Sequence, residues 1–173
     1  MKISVKRMAV MAMTSAVYAA ITLGTIFLSY HAIQYRIAES LNLLAFFNPI
    51  FAPAVAIGVF LSNFLGSPYG IADAILGTTA TIVALALILL TRKIIKNPTI
   101  GLFVSSVWVV LINALIVPVV ILISGDGFFW EAYWPFAGSV AFGQFVVVTL
   151  GGLAILHVVM AKFPKAIEKI KEL

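Results

Sequence analysis

Arg36 and Glu39 stand three residues apart, at the head of a short apolar run that stops at Asn48-Pro49. A guanidinium and a carboxylate at that spacing have two uses. They can pair with each other, or they can offer a rigid donor fork and a two-oxygen acceptor to a third molecule. Four further polar residues stand out from apolar surroundings: Asn63, Asp73, Asn113 and Gln144. These are groups for hydrogen-bonded recognition. A set for bond breaking is missing: the chain has no glycine-rich phosphate loop, no His-Glu metal pair and no nucleophile motif. His31 and His157 lie far apart, with no company of metal-ligand type. The expectation is a chain that is not an enzyme, holds no metal or cofactor of its own and does not hydrolyse ATP.

The elements that position these groups are set by composition. The chain has 173 residues, of which 63% are hydrophobic and 10% charged, and it contains no cysteine. So few charges cannot cover so much apolar surface in water, so lipid is the solvent that fits. A membrane-crossing helix needs about 20 apolar residues. Met8–Ser29, Pro49–Leu65, Ile71–Leu90, Thr99–Ile123 and Pro135–Ala161 qualify as candidates, and the short Ala38–Phe47 run precedes the second. The first is too long for the ~7–15 apolar residues of a signal peptide, and is read as a retained helix.

Charge decides whether Leu41–Leu65 is one span or two. Lysine and arginine accumulate in cytoplasmic loops. A single span would put the Lys2, Lys6, Arg7 cluster opposite the Arg92, Lys93, Lys96 segment. A break at Asn48-Pro49 puts every basic residue except Arg36 on one side, including Lys162, Lys165, Lys169 and Lys171. Proline agrees, because it disfavours a helical Asn48 and cannot continue the helix. The expected fold is an all-α integral membrane protein of six transmembrane helices, the second short, with both termini cytoplasmic. It forms one domain over residues 1–173, with 163–173 as a cytoplasmic amphipathic tail carrying Phe163, Ile167 and Ile170 on one face. The net charge of +5 is then a topology signal, and nucleic acid is not an expected partner.

Counting at 1.5 Å per residue places Arg36, Glu39, Asn63 and Asp73 at the outer ends of their helices, with Asn113 and Gln144 about 15 Å deeper. Intramembrane polar groups are expensive, and their convergence points to a pocket open to the outside. For Asn113 and Gln144 a plain helix–helix hydrogen bond is the alternative. The segment Ser124–Trp134 reads as a loop containing a Gly-Asp-Gly turn around Asp126, followed by Phe128, Phe129, Trp130, Glu131, Tyr133 and Trp134. Its rings form either an interfacial aromatic belt or a lid that stacks on a flat ligand. Ala12, Ala16 and Ala20 form a smooth stripe on the first helix, suited either to internal packing or to docking of another membrane subunit. On the fourth helix Asp73, Gly77, Ala80, Thr81 and Ala84 share a face that reads as internal packing below Asp73.

These residues carry a family resemblance. Gln34-Tyr35-Arg36-Ile37-Ala38-Glu39-Ser40-Leu41 resembles the "VRxSEAL" segment of the QueT family, with Ala38 in place of the usual serine. Phe46-Phe47-Asn48-Pro49 resembles its "PFFTP", and Asn63-Phe64-Leu65-Gly66 followed by Asp73 and Gly77 resembles its third-to-fourth helix connection. The resemblance implies a substrate-binding S component of an energy-coupling factor importer in a prokaryotic cell membrane. It captures a queuosine precursor, a 7-deazaguanine or queuine-like base, from outside. It implies as partners a transmembrane coupling subunit and two cytoplasmic ATPases that use the ATP, with the alanine stripe as docking face. On this reading Glu39 takes the donor edge of the base, and Asn113 and Gln144 take the remaining polar atoms. Asp73 or Glu131 pairs with an aminomethyl cation, and Trp130 or Trp134 stacks on the ring. Two alternatives stand beside it: an S component for another vitamin such as riboflavin or thiamine, and a stand-alone small-molecule carrier.

Overall fold

A computed structural model describes residues 4–30, 33–125 and 129–173. Lys2, His31, Asp126 and Phe128 lie outside the described residues. Every element among those described is helical: α1 (Val5–Gly24), α2 (Ile26–Ser29), a 3-10 segment (Ile37–Leu43), α3 (Leu44–Phe47), α4 (Phe51–Gly66), α5 (Gly70–Ile94), α6 (Pro98–Ser124), α7 (Trp130–Gln144), a π-helical segment (Phe145–Gly152), α8 (Leu153–Lys162) and α9 (Pro164–Lys171). Four helical stretches are long and apolar enough to cross a membrane: Val5–Gly24, Gly70–Ile94, Pro98–Ser124 and Trp130–Lys162. Ile37–Phe47 and Phe51–Gly66 are shorter apolar helices.

Asn48 breaks the chain as the proline demands. Its backbone is extended (φ −148, ψ 128), and α4 starts afresh at Phe51. The Ile37–Phe47 stretch is too short for a bilayer, yet it faces protein rather than lipid. The 3-10 segment touches α1, α4, α6 and the π segment, and α3 touches α4, α5 and α6. Ala38, Glu39, Asn42, Leu43, Ala45, Phe46 and Phe47 are buried. Irregular or truncated helices are tolerated at membrane depth only when other helices surround them. Helices α1, α4, α5, α6 and α7 pack in succession, and α1, α4, α5, α6 and the π segment touch this short central piece.

The ends of the bundle can be told apart by contacts. Arg7 Nε donates to the backbone oxygen of Leu173. Asn48 Nδ2 donates to the carbonyls of Ile170 (3.0 Å) and Lys171 (3.3 Å). Arg92 and Lys96 share a cleft with Phe46, Phe47 and Lys171. The break, both chain ends and the basic α5–α6 connection therefore meet at one end, which the distribution of lysine and arginine marks as cytoplasmic.

Three boundaries differ from the sequence reading. The first span breaks at Thr25 (φ −114, ψ 35), where α2 begins a new turn. The last span starts at Trp130, not Pro135, so Trp130, Glu131, Tyr133 and Trp134 are helical rather than part of a loop. Pro135 therefore stands inside α7, where it leaves the Glu131 carbonyl without an i→i+4 donor. In the tail, Ile167 is buried and Ile170 half-buried against the core, but Phe163 precedes α9 and is exposed. Phe163 thus leaves the apolar face expected of it, because its backbone (φ −130, ψ 55) is the corner between α8 and α9.

Candidate functional site

The local conformation of Ile37–Leu43 decides how the central polar residues meet. A 3-10 helix has three residues per turn, so positions three apart eclipse one another. Arg36, Glu39 and Asn42 consequently form one polar edge. The Glu39 N–H donates to the Arg36 carbonyl at 3.0 Å. The Asn42 amide donates to the Glu39 carbonyl at 2.9 Å and also to Glu39 Oε2. From α1, Tyr18 donates its hydroxyl to Glu39 Oε1 at 2.8 Å.

Arg36 extends this edge toward α5. Its Nη1 is 3.6 Å from Glu39 Oε1, its Nη2 is 3.8 Å from Asp73 Oδ2, and its guanidinium lies 5.0 Å from the centroid of the Tyr30 ring. Tyr30 donates to the Ser62 carbonyl (3.0 Å) and to Asn63 Oδ1 (3.2 Å), and Asn63 Nδ2 donates to the Asp73 carbonyl (3.1 Å). Gly77 makes this possible: a Cβ there would overlap both the Asp73 carboxylate and the Asn63 amide. Arg36, Glu39, Asn63 and Asp73 therefore form one connected network, each at most 2% exposed. Tyr69, in the α4–α5 connection, lies within its field. Burial, and then the Asp73 carboxylate, push its phenol above the ordinary range.

Two features give the network its chemical character. Two carboxylates face one guanidinium, which leaves a formal charge of −1 in a water-poor site. The charge contacts at 3.6 and 3.8 Å are longer than hydrogen bonds, which run about 2.7–3.2 Å. Arg36 Nε and Nη2 and both Asp73 carboxylate oxygens are buried without a hydrogen-bond partner among the described residues. Glu39 differs, since both its oxygens accept hydrogen bonds.

Asn113 and Gln144 are also buried, at 2% and 0% exposure. Asn113 Nδ2 and both amide atoms of Gln144 have no hydrogen-bond partner among the described residues. Among the described residues, the helix–helix bond that sequence reading offered as an alternative for Gln144 is thus not formed. Gln144 ends α7, where the backbone passes into the π segment, a conformation frequent at functional sites. Next to it, Gly143 lies so close to the backbone of Gln34 that a Cβ would overlap the Gln34 carbonyl. Gln34 is itself buried, with an unpaired side-chain oxygen. Gly152 of the π segment packs on Ser40 and Leu43 of the 3-10 segment. The two irregular helices therefore lie against each other, with the unpaired amides of Gln34 and Gln144 just ahead of them in the chain.

The outer-end aromatic residues are not brought into this cluster. Trp130 and Trp134 are each 64% exposed, and Glu131 is exposed too. Tyr133, between them, is buried and donates to the Leu115 carbonyl at 2.9 Å, with Trp130 and Trp134 edge-on to its ring. Helical spacing explains the split, because residues 130, 131 and 134 face away from the bundle while 133 faces α6.

Four participants escaped sequence reading. Gln34 and Asn42 flank the Arg36–Glu39 pair, and Asn42 continues its three-residue spacing. Tyr18 belongs with Ser15 and Thr22 on the buried face of α1, a polar line readable at helical spacing. Tyr30 had no signal, because its role depends on the turn after α2. The alanine stripe lies away from this buried face of α1: Ala12, Ala16 and Ala20 are exposed.

Comparison with known proteins gives two matches. The family model described as QueT transporter matches residues 8–161. A curated protein named Queuosine precursor transporter QueT, from Lactococcus lactis subsp. cremoris (strain MG1363), is 41% identical over 78 residues, covering 44% of this chain and 45% of that protein. The aligned part thus spans less than half the length of that relative. No solved structure gives a significant match. The family match covers nearly the whole chain, including the Arg36–Glu39 edge, the Asn48-Pro49 break and the Asn63–Asp73 connection, and on that ground this chain belongs to the QueT transporter family.

Proposed function

We propose that this chain is the substrate-capture subunit, or S component, of an energy-coupling factor importer, and that it takes a queuosine precursor of the 7-deazaguanine type from outside. The observation that carries the reading is the buried set of unpaired donors and acceptors: Arg36, Asp73, Asn113, Gln144 and Gln34. A buried polar atom without a partner is costly in protein and more so in lipid. A flat heterocycle with N–H donors on one edge and a carbonyl on another satisfies such a mixture. The formal charge of −1 favours a ligand that brings donors or a cation.

Roles follow from which atoms are already engaged. The Asp73 carboxylate has no hydrogen bond among the described residues, so it takes the donor edge or the aminomethyl cation of the base. Glu39, held by Tyr18 and Asn42, positions Arg36 instead. Asn63 orients the Asp73 backbone. Asn113 and Gln144 serve the remaining polar atoms. Trp130, Glu131 and Trp134 contact the ligand only after the start of α7 moves inward. The relative's name supports the substrate class.

Energy must come from elsewhere, because the chain lacks a phosphate loop. The partners are a transmembrane coupling subunit and two cytoplasmic ATPases that consume the ATP. The exposed Ala12, Ala16 and Ala20 stripe is the docking face, since small residues let helix backbones approach closely in lipid. The test is mass spectrometry of small molecules that co-purify with the detergent-solubilised chain, followed by titration with 7-deazaguanine bases. A bound deazaguanine is expected. Recovery of riboflavin or thiamine instead moves the chain to another vitamin. Uptake by vesicles containing this chain alone, without ATPases, removes the capture-subunit reading.

A further inference from the structure

The cytoplasmic end of the bundle holds a second feature that substrate capture does not use. Phe46, Phe47, Arg92, Lys96, Pro98 and Lys171 line a cavity of about 220 Å³. Three cations surround it, and none is paired with a carboxylate among the described residues. They arrive from separate elements: Arg92 from the last turn of α5, Lys96 from the connection that follows, and Lys171 from the end of α9.

Their convergence is built rather than incidental. Asn48 Nδ2 holds the carbonyls of Ile170 and Lys171, which pins the end of α9 beside the break. Phe46 packs so tightly on α6 that a Cβ at Gly101 would overlap its ring. Pro98 opens α6, whose N-terminal end adds positive partial charge. The result is a cationic rim over an aromatic wall.

Phosphate is the chemistry such a rim recognises, and two sources can supply it: a lipid headgroup or free phosphate. The cleft lies at the inner membrane surface, where anionic lipids are abundant and basic pockets between helices bind their headgroups. Its volume is below the ~300–1,000 Å³ of pockets that enclose a whole small molecule. That suits a headgroup whose acyl chains remain in the bilayer. We infer that this cleft binds the headgroup of an anionic phospholipid of the cytoplasmic leaflet. The inference rests on the orientation of the chain and not on the identity of the imported substrate.

The experiment is native mass spectrometry of the full chain released from nanodiscs of equal phosphatidylglycerol and phosphatidylcholine. Selective retention of phosphatidylglycerol is expected. Arg92→Gln, Lys96→Gln and Lys171→Gln should each weaken it about fivefold, and together abolish it. Lys162→Gln with Lys165→Gln removes charge at the same end, outside the cleft, and should leave retention unchanged. Lys96 is exposed, so its single variant remains informative if the triple variant folds poorly. Three results overturn the inference: equal retention by the Lys96→Gln and wild-type chains, equal loss in the Lys162/Lys165 control, or displacement of the lipid by millimolar inorganic phosphate at constant ionic strength. The last would assign the cleft to free phosphate.

Discussion

Glu39 and Asp73 look equivalent in the sequence, yet their surroundings separate them. Glu39 accepts from Tyr18 and Asn42, whereas among the described residues the Asp73 carboxylate has only the ion pair to Arg36 at 3.8 Å. A charge-assisted hydrogen bond contributes about 1.5–3 kcal/mol. Asp73→Asn should therefore weaken binding of a 7-deazaguanine by about tenfold to a hundredfold, measured by calorimetric titration, with little loss of stability. Glu39→Gln should show the opposite balance, with a lower unfolding temperature and a smaller change in affinity. Equal affinity for the Asp73→Asn and wild-type chains would falsify the proposed role of Asp73. Arg36 is the single cation of the network, and removing one partner of a buried ion pair typically costs about 3–5 kcal/mol. Arg36→Met should thus lower the thermal midpoint more than either carboxylate variant, because two buried carboxylates then face each other. Sequence reading found Arg36, Glu39, Asn63 and Asp73 from residue type, and missed Tyr18, Tyr30 and Asn42, which tie them together. It ranked Glu39 first, because only the contacts of Tyr18 and Asn42 reveal which carboxylate is already engaged.

Two departures from the α-helix create the setting for these residues. The 3-10 segment lines up Arg36, Glu39 and Asn42, and the π segment begins just after Gln144. They are held together by glycine. A Cβ at Gly143 would meet the backbone of Gln34, which cannot swing aside as a side chain can. Gly143→Ala should cost about 1–3 kcal/mol, as overpacking does, and should weaken ligand binding by displacing Gln34. Gly138, on the same helix, has open space around its Cβ position. Gly138→Ala should leave affinity unchanged and stabilise the chain slightly, by about 0.5–1 kcal/mol. Thermal unfolding and titration of the two variants side by side test the packing claim. The Asn48-Pro49 break was legible because proline restricts its neighbour wherever it stands. The start of α7 was not. Proline favours the first turn of a helix, so Pro135 reads as a start, whereas the helix begins five residues earlier and carries it inside.

At the scale of the molecule, α1 presents two faces with different duties. Ser15, Tyr18 and Thr22 are buried, and the Ser15 hydroxyl reaches the Ala54 carbonyl at 2.6 Å. Ala12, Ala16 and Ala20 face outward. Ala16→Leu should leave ligand affinity of the isolated chain intact and reduce ATP-dependent uptake in cells that express the coupling and ATPase subunits. Co-purification with the coupling subunit reports the same interface, and full uptake with intact co-purification would discard it. Along α5, Asp73 of the network lies in the first turn and Arg92 and Lys93 in the last, so the network and the positive end of the bundle are a helix length apart.

The sequence by itself determined the solvent, the helical class, the turn at Asn48-Pro49 and the side on which the lysines and arginines gather. These follow from composition, proline sterics and charge, which act locally or on the sum of the chain. It also marked Arg36, Glu39, Asn63, Asp73, Asn113 and Gln144, because an uncompensated polar group in lipid is expensive wherever it sits. Only the tertiary structure decided which of them share a network, which atoms are engaged, and that Trp130, Glu131 and Trp134 stand outside it. Those facts depend on distances between residues remote in sequence, such as Tyr18 to Glu39 and Arg36 to Asp73, and no local pattern encodes a distance across a bundle.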